Sequence, residues 1–458
     1  MNRFCPLISV LLAVNLAAQN QPAVPTGSQV KWHEAEMGAI FHYDIHVFDG
    51  ERYVQTENRL APIEDYNIFY PAELSTDQWI SAAKEAGCRF ALLTATHETG
   101  FGLWQSDVNP YCLKALKWQD GKGDIVGDFI QSCRKYGIEP GLYIGIRWNS
   151  HLGVTNFNPQ GGGEKFHEKR KEWYRQYCEQ MVEELCTRYG PLFMVWFDGG
   201  ADDPKSDGPD VEPLFEKYQP DCLFYHNVER ADLRWGGSES GIVGDPCWST
   251  FPTPYSHSKH NETEAEHLDM LLHGDPDGQY WVPAMADVPL RSYNGRHEWF
   301  WEPDDEDSIL PLENLMEIYQ GSVGRNATLI LGLTPDPRGL IPEPDKTRLA
   351  EFGSRIKELY ACPNATTFGE GTKFILDLDK SKPVDRCVIS ENIRFGERIR
   401  RYRIDALMSK GWKTICAGQS IGHKRIESFP SIYTTKIRLV IEEYDGTPIL
   451  KEFSAFYK

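Results

Sequence analysis

The run LFMVWFDGG, residues 192 to 200, sets a carboxylate, Asp198, directly after an apolar stretch and directly before two glycines. A buried strand ending this way leaves open space above the acid, because Gly199 and Gly200 let the chain turn without a Cβ in the way. Trp196 and Phe197 would give that space apolar walls. A carboxylate so placed can act as nucleophile, as base or as structural acceptor. A second acid, Glu239, stands 41 residues on (239 − 198) in the Gly/Ser-rich stretch RWGGSESG. Two carboxylates across a glycosidic oxygen are what glycoside hydrolysis requires: one protonates the leaving oxygen while the other attacks the anomeric carbon or activates water. Asp202, Asp203 and Asp245 compete for the second role. Asp202 and Asp203 precede Pro204 in a polar, turn-rich loop and read as solvated, with a cation site as the lesser alternative. By itself Glu239 also reads as a solvated loop acid.

Other residues with chemistry fall just past apolar runs. They are His42, Tyr43 and Asp44; His97 and Glu98; Arg147 and Trp148; Arg234 and Trp235; and Asp287 and Arg291. The set is rich in acids, imidazoles and indoles. It holds no Ser or Cys in a nucleophile elbow and no Lys at a strand end for a Schiff base. His97 and Glu98 could ligate a metal or bind sugar hydroxyls. No third and fourth ligand stands at diagnostic spacing, so hydroxyl recognition is the more economical reading and no metal site is expected.

The elements that must position these residues alternate. From about residue 36, MGAIFHY, RFALLTATHE, PGLYIGI, LFMVWF, DCLFYH, QYWVPA and ATLILGL read as strands. Amphipathic helices such as STDQWISAAKEAG and GDIVGDFIQSCRKYG, each ending at a glycine, separate several of them. This pattern predicts an α/β fold, an irregular (β/α)8 barrel of the TIM type, with its site at the C-terminal ends of the strands. A doubly wound sheet is the runner-up, and no GxGxxG follows any strand to support it. After about residue 365 short strand-like runs replace helices, which predicts a C-terminal β-sandwich. The expected layout is a barrel over 19–364 and a sandwich over 365–458, with the boundary in ACPNATTFGEG. The tail's sparse aromatics favour a brace over a carbohydrate-binding module.

At the N-terminus, one cation, an apolar stretch and small residues at Ala17 and Ala18 read as a signal peptide over 1–18, hence export to a periplasm or the medium. No later run of 18 apolar residues is present, so no membrane insertion is expected. The formal charge of −19 excludes a nucleic-acid partner. Ten cysteines follow Cys5 without a CxxC, most of them in apolar runs, and read as small buried hydrophobes, with one disulfide left open. The sequence sets no oligomeric state.

In STDQWISAAKEAGCRFALLTATHETGFGLWQS, YGPLFMVWFDGG, YQPDCLFYHNVERADLRWGGSESG, WVPAMADVPLR and SVGRNATLILGLTPDPRGLI, the chain resembles glycoside hydrolase family 29, the retaining α-L-fucosidases. The tail stretch GQSIGHKRIESF is similar to the branch selective for α-1,3/1,4-linked fucose on branched glycans. The resemblance implies an exo-acting enzyme that removes terminal α-linked L-fucose from an oligosaccharide, with Asp198 as nucleophile, Glu239 as acid/base and no cofactor. It implies sugar contacts from His42 and His97. Glu98, Trp148, Trp235, Asp287 and Arg291 complete the expected substrate-binding set. Departures fall on the sugar-contacting positions. His97-Glu98-Thr99-Gly100 stands where the family has His-His-Asp-Gly, Met285 replaces a usual glutamate, and GSE replaces GNE. The resemblance therefore carries over the catalytic pair and leaves the sugar open. A related activity such as α-L-galactosidase, with Glu98 accepting from the extra hydroxyl, and a silent sugar-binding homologue remain the alternatives.

Overall fold

The computed structural model describes residues 22–161, 163–255 and 263–457. The expected leader over 1–18 lies outside them. Eight parallel strands form one sheet: β1 (Met37–Phe41), β2 (Phe90–Thr96), β3 (Glu139–Ile144), β4 (Met194–Trp196), β5 (Leu223–Tyr225), β6 (Arg234–Trp235), β7 (Ala284–Pro289) and β8 (Thr328–Leu333). Their order is β5-β4-β3-β2-β1-β8-β7-β6, so β8 returns to pair with β1 and the wall comes nearly full circle. The break lies between β5 and β6. Only eight residues separate these strands, too few for a crossover helix. Phe224 and Asp232 bridge the break locally: the Asp232 amide donates to the Phe224 carbonyl at 3.0 Å, and the Phe224 amide donates to the Asp232 carboxylate at 2.8 Å.

Strands β1, β2, β7 and β8 are buried at every position, which is why they read as continuous apolar runs rather than alternating ones. The helices behave as their punctuation predicts. In α2 (Thr76–Ala86), Ser75 accepts from the Gln78 amide at 3.3 Å, and the helix stops at Gly87 with φ of 102°. Its buried face carries Trp79, Ile80, Ala83 and Ala86 at helical spacing, and the Trp79 indole donates to the Gly339 carbonyl at 2.9 Å. In α3 (Ile125–Tyr136), Asp124 caps the Gly127 amide at 2.9 Å and Gly137 ends the helix in the left-handed region.

Two readings need correction. The stretch QYWVPA is not itself a barrel strand: Tyr280–Trp281 pairs antiparallel with Thr250–Phe251 in a separate ribbon, and β7 begins at Ala284. The start of RWGGSESG, read as loop, supplies the short strand β6, paired to β7.

After the last long helix, Glu343–Tyr360, six antiparallel strands follow: β9 (Ala365–Glu370), β10 (Lys373–Glu391), β11 (Ile399–Met408), β12 (Gly411–Gly418), β13 (Arg425–Tyr444) and β14 (Ile449–Tyr457). Their order is β9-β14-β10-β13-β11-β12. Register shifts interrupt the long β10–β13 pairing, and such bulges bend a sheet. Its inward residues, among them Ile389, Tyr402, Ile404, Leu439 and Phe453, share a core cluster separate from that of the barrel.

Polar contacts join the two units. Arg425 grips both oxygens of Asp245 at 2.7 and 3.1 Å, the Ser420 hydroxyl donates to the Cys247 carbonyl at 2.7 Å, and Glu397 accepts from the Ser249 amide at 3.0 Å. These grips fall on residues 245–249, directly after the loop that carries Glu239. On another side, Glu36 meets Lys424 at 2.5 Å and His423 at 3.2 Å.

Candidate active site

A cavity of about 470 Å³, counted out to its mouth, opens where strands β1 to β4 and β7 end. Asp198 and Glu239 both line it.

Asp198 follows β4. The next residues, Gly199 and Gly200, take φ of 64° and 83°. A Cβ on Gly199 would meet Arg147 Cδ at 2.8 Å and Trp148 at 3.3 Å, and the Arg147 guanidinium donates to the Gly199 carbonyl. The glycine after the acid is thus demanded twice, by conformation and by crowding. The Tyr143 hydroxyl, from β3, donates to Asp198 Oδ2 at 3.2 Å. Burial pushes the Asp198 carboxyl above its ordinary range. The charges of Glu98 and Glu239 push the same way, while His97 and the Tyr143 bond oppose them.

Glu239 sits at the wetter end, with its side chain 44% exposed. Its Oε2 accepts from Trp299 Nε1 at 3.0 Å and contacts His297 Nε2 at 2.6 Å. Partial burial would lift this carboxyl, but the two bonds and the charge of His297 outweigh it and hold Glu239 below its usual value. The two acids are therefore driven apart by their surroundings, one in a dry pocket and one among donors.

The floor is an aromatic box. His42 packs against Trp299 and Phe300 with ring centres 4.9 and 5.2 Å apart, and His97 stacks on Tyr143 at 5.3 Å. Within this apolar box, His42 Nδ1, His97 Nδ1 and Trp196 Nε1 are buried without a hydrogen-bond partner among the described residues. An unpaired buried polar atom costs about 1–3 kcal/mol, a cost a hydroxylated ligand would offset. Burial first, then neighbouring imidazoles, lowers His42 well below its ordinary value. Burial likewise brings His97 down to about 4, against the pull of Asp44 and Asp198. Neutral imidazoles offer one donor and one acceptor each, which matches sugar hydroxyls. Asp287, on β7, also lines the cavity and accepts from Trp235 Nε1 at 2.7 Å; burial, and then the charge of Glu239, raises its carboxyl.

Of the expected site residues, then, the structure brings Asp198, Glu239, His42, His97 and Asp287 to one cavity wall. Trp235 stands behind Asp287. Trp148 lies under the Arg59 guanidinium, 3.7 Å from ring centre to carbon, rather than on the wall. Glu98 is a correction. Its buried carboxylate accepts from Arg59 Nε at 2.6 Å, Tyr53 hydroxyl at 2.9 Å and Gln55 Nε2 at 3.3 Å, so it latches residues 53–59 instead of facing the sugar. The L-galactose alternative loses its acceptor with it. Arg291 is a second correction: it is fully buried and paired with both oxygens of Asp345 at 3.0 and 2.8 Å, away from the cavity. No group of acids, histidines and cysteines able to hold a metal occurs among the described residues, Asp202 and Asp203 included.

Trp196 lines the cavity as the wall expected beside Asp198; Tyr53, Gln55, Tyr143, Trp299 and Phe300 also line it and were missed. The aromatic run in HEWFWEP, directly after β7, was the available signal for Trp299 and Phe300. Nothing local marked Tyr53 or Gln55, which are held at the cavity by the Glu98 latch and, for Tyr53, by its amide bond to Glu302 and ring contacts with His46 and Phe300.

Comparison with known proteins fits this geometry. The family described as alpha-L-fucosidase matches residues 17–358. The chain belongs to the alpha-L-fucosidase family. It is a glycoside hydrolase. A crystal structure described as a "putative alpha-L-fucosidase" from Bacteroides thetaiotaomicron VPI-5482 is 62% identical, covers 95% of this chain and 100% of that one, and superposes with a TM-score of 0.94. Alpha-L-fucosidase 1 of Arabidopsis thaliana is 28% identical over 93% of this chain and 86% of its own length. A Ruminococcus gnavus family 29 fucosidase solved in complex with fucose shares the fold, with a TM-score of 0.76 at 22% identity over 95% of this chain and 96% of that one. In an alpha-L-fucosidase, a nearly closed parallel barrel followed by an antiparallel tail is the frame on which these carboxylates sit.

Proposed function

We propose that this enzyme removes terminal α-linked L-fucose from glycans by double displacement, with Asp198 as nucleophile and Glu239 as acid/base. One observation carries the assignment: two carboxylates share one cavity, the first dry and braced by Tyr143, the second at the mouth among exchangeable donors. Asp198 attacks the anomeric carbon while the leaving oxygen takes a proton from Glu239. Water then attacks the glycosyl-enzyme and gives its proton back through Glu239, so configuration is retained. In the unliganded site Asp198 is pushed up and Glu239 is held down. Each carries less of a burden once the other is neutral, because their charges are mutually repulsive. A neutral glycoside that dries the mouth favours the proton on Glu239, and a neutral Glu239 removes one of the charges that raise Asp198.

The finer assignment is to the branch that takes α-1,3/1,4-linked fucose on branched glycans. The half-exposed Glu239 supports it, since a wide mouth on the acid/base side admits a branched aglycone. The resemblance of the tail stretch GQSIGHKRIESF supports it too. Export to a periplasm or the medium belongs to the same proposal.

The test is turnover of an aryl α-L-fucoside by wild type, Asp198→Ala and Glu239→Gln, with proton NMR of the first sugar anomer released. The α anomer first and a loss of at least about 10³-fold in Asp198→Ala are expected. Substantial turnover by Asp198→Ala, or the β anomer first, refutes the pair. Linear α-1,2-fucosides cleaved faster than branched α-1,3/1,4-fucosides refute the branch.

A further inference from the structure

Two neighbours of Glu239 have no place yet in the reaction. His297 Nε2 lies 2.6 Å from Glu239 Oε2, and its other ring nitrogen, Nδ1, lies 3.1 Å from the Ser292 hydroxyl. Both sit in the segment after β7, which also provides Trp299. The three groups form a line: hydroxyl, imidazole, carboxylate. Among the described residues, both bonds to Glu239 fall on Oε2. A hydroxyl can donate or accept, so Ser292 fits Nδ1 whether or not that nitrogen is protonated. The contact with Ser292 therefore survives the gain or loss of the Nε2 proton, and the contact with Glu239 is restored each time that proton returns. The line ends where the acid/base residue needs its proton.

We propose that His297, oriented by Ser292, stores the proton that Glu239 delivers, which makes His297 a positioning and proton-holding residue of the reaction. The inference rests on the assignment of Glu239 as acid/base. At rest the pair holds one proton between imidazole and carboxylate. As the Asp198 oxygen bonds to the anomeric carbon and the glycosidic bond breaks, the proton passes from Nε2 to the carboxyl group and on to the leaving oxygen. A neutral imidazole and a carboxylate remain. In the second step the water oxygen bonds to the anomeric carbon, the bond to Asp198 breaks, and the water's proton returns to the pair. Charge balances in both steps, and no further reactant enters.

The arrangement answers a need the geometry creates. A general acid held by two donors is a poor proton source alone, because both bonds favour its charged form. A titrating donor removes the difficulty, since it supplies a proton as well as a bond. The other titratable groups facing Glu239 across the cavity are Asp198 and Asp287, each raised in part by its charge. Arg296, next in the chain, is occupied by Glu298 at 2.7 Å and Asp305 at 3.1 Å.

The deciding experiment is the pH profile of kcat/KM for His297→Gln and His297→Asn. It uses one α-L-fucoside with a sugar aglycone and one with a dinitrophenyl aglycone, which leaves without protonation. Both replacements can keep a bond to Glu239 and neither titrates in this range. With the sugar aglycone, the alkaline limb is expected to move to lower pH by about one unit or more, with about 10-fold loss near neutrality. With the dinitrophenyl aglycone, rates should stay within about 3-fold. Ser292→Ala should move the same limb the same way by less. A limb that superimposes on wild type, or moves to higher pH, in both His297 variants overturns the proposal. So does an equal loss on both substrates. Circular dichroism melts certify folding, and His297 is 43% exposed, so replacement leaves no core cavity. A Glu239→Gln variant with wild-type turnover would instead overturn the catalytic pair itself.

Discussion

Replacing Glu36 by Gln should cost most of its stability near neutral pH and little in strong acid. Glu36 follows the first helix, before β1, and its carboxylate reaches the tail at Lys424 and His423. Burial alone would raise this carboxyl. The Lys424 charge and the His423 bond win, and bring it from 4.5 down to about 2. The gap of about 2.5 pH units (4.5 − 2) is worth about 3 kcal/mol at about 1.4 kcal/mol per unit. That is a ceiling, because holding the Lys424 chain in place takes back part of it. The sign follows from the direction. A carboxyl depressed in the folded state stabilises fully above its unfolded value of 4.5 and loses that contribution as pH falls toward about 2. Near pH 3 the contribution shrinks to less than half of its full value. The assay is urea unfolding followed by tryptophan fluorescence, wild type against Glu36→Gln, near neutrality and near pH 3. The difference in midpoint should be large in the first and less than half as large in the second. An equal difference at both pH values, or none, would refute the reasoning and with it the claim that this ion cluster holds tail to barrel.

Asp345→Asn leaves the buried Arg291 guanidinium without its counter-charge, so it should destabilise by about 3–5 kcal/mol while KM for an aryl fucoside stays unchanged below the melting range. A KM raised tenfold in folded protein would instead place Arg291 at the sugar. Glu98→Gln removes a charge that raises Asp198, so the acid limb of kcat/KM, where Asp198 must be ionised, should move to lower pH. The same change loosens the grip on Arg59 and should raise KM; an unchanged acid limb contradicts the coupling. Gly199→Ala should lower kcat by at least about 10², since a Cβ there meets Arg147 at 2.8 Å and the residue needs φ of 64°. Activity near wild type would show that the turn after Asp198 does not set its position.

The barrel was legible because its strands are covered on both faces and its helices start and stop at capping residues and glycines, as around Trp79 and Gly87. Asp198 was legible for the same reason, as the first polar residue past a buried run. What failed were inferences from position alone. Arg291 stands just beyond a strand end, as a site residue should, but points outward to Asp345 rather than inward. Glu98 follows a cavity-lining histidine, but its carboxylate is taken up by Arg59, Tyr53 and Gln55, partners from far away in the chain. Such long-range pairing decides these cases, and the sequence shows where a strand ends more sharply than what meets the residues beyond it. Tyr53 and Gln55 were invisible because long-range contacts, not local pattern, bring them in.

The unzipped seam between β5 and β6 has a mechanical meaning. Every other adjacent pair around the wall is tied by a parallel ladder, so bending there breaks hydrogen bonds. At this seam no ladder runs among the described residues; Phe224 and Asp232 exchange two hydrogen bonds and Leu223 and Tyr225 pack with Leu233, and the loop bearing Glu239 leaves from its far lip. Glu239, the proposed acid/base residue, therefore rides beside the edge of the wall that lacks a ladder, while Arg425 and Glu397 tether the segment just after its loop from outside. The expected consequence is that a bulkier aglycone displaces that lip first and the bed of Asp198 last.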